Sequence, residues 1–201
     1  MFRISPNLLF LILCGLLSPF SVIAQGAAPE DHPALEIASE YVRNITNQDW
    51  AAAAEKMKFR HLERDHARYI RSARNTPSVD DEVRMLKRLK VERMRDLESM
   101  SGKEFFAADR AAAHGERGLT PLMNQKLQES FEMTLLGGLL EGDSIVHVMI
   151  RTSHETIEAV VNELVIISVE KDEGDWVISP EHQQIRVQPI LGAPAPAKAG
   201  G

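Results

Sequence analysis

The whole chain holds a single cysteine, Cys14, and it lies inside an apolar run near the amino terminus. The sequence beyond that run therefore has no thiol for catalysis, no disulfide and no cysteine ligand for a metal. Apolar stretches of membrane length are also missing. The run Leu8 to Leu17 falls well short of the roughly 20 residues a spanning helix needs. There is no internal repeat, no Gly-rich phosphate loop, no nucleophile elbow and no metalloprotease helix. A basic excess is absent too. The 23 Lys and Arg stand against 29 Asp and Glu, for a net charge of −6, so nothing draws the chain broadly toward nucleic acid. Neither a cofactor, a metal nor a nucleic-acid partner is expected.

What is present begins with an export signal. Arg3 supplies charge, Leu8 to Leu17 supplies the apolar core, Ser18 and Pro19 break it, and Val22-Ile23-Ala24 presents modest residues for cleavage. Residues 1–24 thus read as a signal peptide and Gln25 as the start of the mature chain, which places the protein in the periplasm or outside the cell. A lipoprotein signal is disfavoured, because Leu13 precedes Cys14 and the apolar run continues through Leu17. Cleavage would remove the cysteine and leave no stable membrane anchor.

The rest divides simply. Residues 25–33 form a short leader, 34–188 one domain, and Pro189 to Gly201 a Pro/Ala/Gly tail with nothing to bury. The first half has helical spacing, with Leu35, Ala38, Tyr41, Val42 and Ile45 largely on one face. Asp49 caps a second helix from Trp50 toward Phe59 and on to Ile70. Ser78 and Asp81 open a third, with Val83, Leu86, Leu89, Leu97 and Met100 as its buried residues. Ser101 and Glu104 form a capping box, Met100 and Phe105 its hydrophobic staple, and Gly115 ends that helix. The second half changes period. Phe131 to Glu141, Ile145 to Thr152, Glu155 to Glu170 and Trp176 to Ile178 read as strands, with Ile185 to Val187 as a last short one. Turns fall at Gly142-Asp143, Ser153-His154 and 171–175, and Gly137-Gly138 marks a bulge. Helices followed by antiparallel strands give an α+β fold.

A helix, a short acidic break, a Trp-containing helix, a Ser-Gly-Lys-Glu-Phe-Phe helix, a Gly-Asp hairpin and a strand ending Asp-Trp-Val-Ile together resemble the nuclear transport factor two-like superfamily, the SnoaL or ketosteroid isomerase-like cone. The resemblance covers about 34–180 and rests on element order and a few positions. It implies N-terminal helices packed on a curved antiparallel sheet, as in a cystatin-like cone, around a pocket lined here by Tyr41, Trp50, Met149 and Asn162. The helical segment at about 60–100 departs from the family in being longer and more charged, as a lid over the cone would be. Members include isomerases, dehydratases and cyclases that use a pocket acid or histidine. Others only bind a ligand or associate, so the fold alone decides little.

Two residues carry the candidate chemistry. Glu163 is the one carboxylate in the row Ile157, Ala159, Val161, Glu163, Val165, Ile167 and Val169 on one strand face. Buried there it would serve as general acid or base, and paired with Arg151 it would be structural. His147 assists it if the two strands pair in register, and otherwise is an ordinary strand histidine. His61 and Asp65 share a helix face while His66 points elsewhere, too few ligands for a metal. Arg84, Lys87, Arg88, Lys90, Arg93 and Arg95 alternate with acids, the pattern of an ion-paired helix face. The expected role is a ligand-binding or interaction module taking a small apolar ligand. An isomerase or dehydratase is the alternative, and a homodimer through the sheet is a further partner expectation.

Overall fold

The computed structural model describes residues 24–76, 78–156, 159–180 and 190–191. The fold is α+β. Among the described residues, seven helices accompany one antiparallel sheet. The helices are α1 (Pro33–Thr46), α2 (Trp50–Glu55), α3 (Phe59–Arg74), α4 (Val79–Arg88), α5 (Met94–Glu98), α6 (Gly102–Glu116) and α7 (Pro121–Glu129). The strands are β1 (Ala24–Ala27), β2 (Glu132–Glu141), β3 (Ile145–Glu155), β4 (Val160–Asp172), β5 (Asp175–Ile178) and β6 (Ile190–Leu191). Spatial order is β1-β2-β3-β4-β5, with β6 added to β4.

Local chemistry sets most helix starts. Pro33 at the first helical turn pre-sets α1, and the His32 ring nitrogen accepts from the Ala34 N–H at 3.2 Å. Asp49 caps α2, Ser78 caps α4 and Thr120 caps α7, each accepting a backbone N–H. The Ser101–Glu104 capping box is fully formed, and Met100 and Phe105 meet in one apolar cluster. Alternation along β3 turns Val146, Val148 and Ile150 inward, all at 0 % exposure, opposite Val169, Ile167 and Val165 of β4. The Ala34, Leu35, Ala38 and Val42 stripe of α1 covers that face. A second cluster is purely helical: Ala73, Leu86, Leu89, Leu97 and Phe105 join α3, α4, α5 and α6.

Several expectations change. The second helix breaks at 56–58 rather than running to Ile70, because Met57 forms a parallel bridge to Ile178 and the Lys58 N–H donates to the Ile178 carbonyl. The third helix is two, α4 and α5, with Lys90 at positive φ between them. Val83 is 53 % exposed, whereas Leu86, Leu89 and Leu97 are buried as expected. Gly115 lies within α6, and the left-handed glycine is Gly118, after the Arg117 cap. α7 was not anticipated. Ser153 and His154 continue β3, which ends only at Glu155, and the Thr156 N–H then donates to the Ala159 carbonyl. Ile190–Leu191, within the expected tail, pairs with β4, and the rest of that tail lies outside the described residues. The leader's Gly26 and Ala27 belong to β1, and the expected cleavage site after Ala24 falls at that strand's start. Gly142 turns β2 into β3 with φ of 64°, and the register shift between Leu135 and Gly137 is the expected bulge. Residues 1–23 and the expected strand at 185–187 lie outside the described residues. No described helix is long and apolar enough to cross a membrane.

Candidate functional site

A cavity of about 570 Å³ opens between the helices and the inward face of β3 and β4. Its strand side carries Thr152, His154, Glu163, Val165 and Ile167. These share a face because Thr152 pairs with Glu163 and His154 with Val161. Its helix side is one stripe of α6, namely Arg110, Ala113, His114 and Arg117, at spacings of three and four. Tyr41 from α1, Trp50 at the start of α2 and Phe131 just before β2 give aromatic walls. α7 closes one end through Leu127. The Ser130 hydroxyl, just past that helix, accepts the Glu155 N–H at 2.8 Å and fastens it to the end of β3.

Glu163 therefore lies where the alternating row placed it, among apolar neighbours, in the cavity wall. Arg151 is not its partner: that side chain points to the opposite face, where its residue pairs with Leu164. Among the described residues Glu163 has no ion-pair partner. Tyr41 and Trp50 line the cavity as expected. Burial pushes the Tyr41 phenol above its ordinary value, with Arg110 partly opposing. Trp50 and the His114 ring lie 5.9 Å apart at a tilt of 49°. The His114 Nε2 meets the Asn124 side-chain oxygen at 3.2 Å, which ties α6 to α7.

His147, Met149 and Asn162 are corrected. All three sit on the outer face of the sheet, because odd-numbered residues of β3 pair with even-numbered residues of β4. His147 cannot assist Glu163 through the sheet. It stands instead between Ser168, at 2.9 Å from Nδ1, and Glu141, at 2.6 Å from Nε2. That order has the form of a nucleophile–base–acid relay. Ser168, however, is only 1 % exposed, so no substrate reaches its oxygen, and the trio clips β2, β3 and β4 together. Leu139, paired with His147, is 42 % exposed on this face.

The helical candidates settle into structure. His61 and Asp65 do meet, at 2.9 Å, and His66 turns inward to the Leu97 carbonyl, also at 2.9 Å. A smaller cavity of about 370 Å³ lies between α3 and α6, with Asp65, Tyr69 and Asp109 in its wall, and Arg110 borders both cavities. In the basic segment Arg84 pairs with Asp81 and Arg93 with Asp96. Arg88 takes both Asp109 at 2.6 Å and Glu116 at 2.8 Å. Both acids hold its proton tightly and raise it above the ordinary arginine value.

Sequence reasoning missed His114, Arg117, Thr152 and His154. The first two were legible as a helical stripe with Arg110. His154 was hidden by placing the turn at Ser153-His154, and Thr152 was read only as the last residue of its strand. Comparison with protein-family models, with curated proteins and with solved structures gives no match. The site stands on its geometry.

Proposed function

We propose that this chain is an exported single-domain module that binds a small ligand in the cavity between α6 and the inward face of β3 and β4. The cone resemblance would make that cavity the mouth of the cone. The observation that carries the reading is the cavity itself. Its volume of about 570 Å³ and its aromatic and aliphatic walls with a few convergent polar groups fit the usual dimensions of a small-molecule site. The test uses N-phenylnaphthylamine, a neutral apolar fluorophore. Saturable binding by the folded protein is expected, and Ala113→Phe, which puts a ring into the cavity from α6, should abolish it while far-ultraviolet circular dichroism stays unchanged. A folded wild type with no saturable binding would end the proposal.

Glu163 favours a second reading, acid–base catalysis on a bound isomerisable or dehydratable substrate. The carboxylate is in the cavity wall with no ion-pair partner among the described residues, and its diagonal neighbour across the strands is His154, with Cβ atoms about 7 Å apart by sheet geometry. His154 takes the place expected of His147. Deuterium exchange next to the carbonyl of a bound cyclic ketone is the measurement. Loss of exchange in Glu163→Gln with binding retained supports catalysis, and identical exchange in both proteins removes it.

A further inference from the structure

The charges around the cavity are unevenly distributed, and the cause lies outside it. Beyond Glu104 in its capping box, α6 carries two acids, Asp109 and Glu116, seven positions apart and so on one face. Arg88 of α4 binds both of them on the side away from the cavity. The facing stripe of α6 is left with Arg110, His114 and Arg117. Arg110 keeps a contact of 3.1 Å to Asp109, an acid it shares with Arg88, and its guanidinium lies 5.6 Å from the centre of the Phe106 ring. Arg117 has no ion pair among the described residues. It stands at the end of α6 beside His114 and an aromatic wall, while Glu163, the one carboxylate among the described lining residues, is on the strand side. A helix carboxyl end ordinarily favours cations. Here Arg117 completes that preference and still offers its guanidinium fork to a ligand.

We infer that the cavity selects a ligand with an apolar, ring-sized body and one anionic head, a carboxylate, sulfonate or phosphate. The head is received by Arg117 and Arg110 on α6, and the body lies against Trp50 and Phe131. This rests on the ligand-binding reading above and adds to it the charge and polarity of the ligand. Arg88 is a positioning residue: it draws Glu116 away from the stripe and shares the charge of Asp109 with Arg110. Glu163 opposes the anion from the far wall and sets which end of the ligand faces the strands.

The test compares two fluorophores with the same aromatic body, anilinonaphthalene sulfonate and neutral N-phenylnaphthylamine, titrated into the full-length chain. At low salt the sulfonate should bind at least about fivefold more tightly, and high salt should erase that advantage, since exposed charges are screened within about 10 Å at 0.1 M. Arg117→Gln should weaken the sulfonate about fivefold, and the double change with Arg110→Gln more than tenfold, with the neutral probe unaffected. Glu163→Gln should tighten the sulfonate about twofold. Arg117 is exposed at a helix end, so its variants should fold, and an unchanged melting curve verifies it. Equal binding of both probes, untouched by Arg117→Gln, overturns the anionic head and leaves the cavity reading standing. Failure of both probes to bind the folded wild type overturns the cavity reading and this inference with it.

Discussion

Two apolar centres hold this protein, and they are built in opposite ways. One is the sheet core, made of β-branched residues on β3 and β4 beneath α1, with pairings fixed by backbone register. The other is the helical centre of α3 to α6, where Leu86, Leu89, Leu97 and Phe105 are padded by Met85, Met94 and Met100. Stiff side chains on a pleated face tolerate few alternative packings. Unbranched methionines adapt to irregular gaps. Around the helical centre the linkage is polar: Arg74 to Glu98, Arg88 to Asp109 and Glu116, and the buried His66 to the Leu97 carbonyl. The cavity lies along the seam, with one wall from each centre. Its rigid groups, Thr152 and Glu163, come from the sheet, and its charged stripe comes from the softer side.

The largest effect should come from removing a side chain at the sheet's middle. Ile150→Ala empties a site with 0 % exposure and should cost about 3 kcal/mol. Native-state hydrogen exchange should show that loss in β2 to β4 while α4 and α5 keep their protection. Equal losses in both would mean that the centres unfold as one unit, and the contrast would fail.

Two glycines sharpen it further. A Cβ on Gly102 would stand 2.6 Å from the backbone of Leu62 and Glu63, where α6 crosses α3. Backbone cannot yield locally, so Gly102→Ala should cost about 2 kcal/mol and displace α6. A Cβ on Gly138 would meet side-chain atoms of Leu35 and Val146 at 2.9 Å. Rotation of Leu35 relieves half of that, and Gly138→Ala should cost about 1 kcal/mol. Chemical denaturation of both variants checks the order, and a reversed order would show the α3–α6 crossing to be the more pliant.

Smaller effects belong to the start of α6. Ser101→Ala removes the hydroxyl that accepts the Glu104 N–H at 3.2 Å and should cost about 1 kcal/mol in thermal unfolding. In the wild type the Ser101 backbone N–H, and after it the hydroxyl, hold the Glu104 carboxyl below its ordinary value. A lowered folded value means the cap's contribution is whole above the unfolded carboxylate value and is lost as pH falls through the folded one. The difference in melting temperature between wild type and Glu104→Gln should therefore shrink on acidification. A gap that stays constant across that range would show that the charge plays no part.

What could be read without coordinates follows the same division. The capping box, the Gly142 turn and the Gly137 bulge depend on neighbours within a few residues, and each appears where the sequence placed it. Gly115 against Gly118 was a choice between two local stops one turn apart. The pairing of Glu116 with Arg88, 28 positions distant, accompanies the longer helix. The break at 56–58 depends on Ile178 and has no local signature. α7 was legible, since Thr120-Pro121 is a cap followed by an N1 proline. For the site, the row through Glu163 marked it as a carboxylate among apolar residues, and the packing of the helices on that face puts it in the cavity wall. Pairing odd with even positions, as any hairpin closed by an even-numbered loop does, would have separated His147 from it. The basic stripe needed the α6–β4 juxtaposition, which periodicity does not supply.

The bridge between Met57 and Ile178 sets a temporal order. Lys58 and Glu170, the ion pair beside it, are 112 positions apart. During synthesis α1 and α2 emerge long before the strands that cover them, and at roughly 5–20 residues per second that interval lasts on the order of ten seconds. The meander β2-β3-β4-β5 closes through short loops and can form quickly once made. The apolar stripe of α1 must wait for it, open to holdases or to a neighbouring chain, until β5 arrives and Ile178 fastens the segment that follows α2.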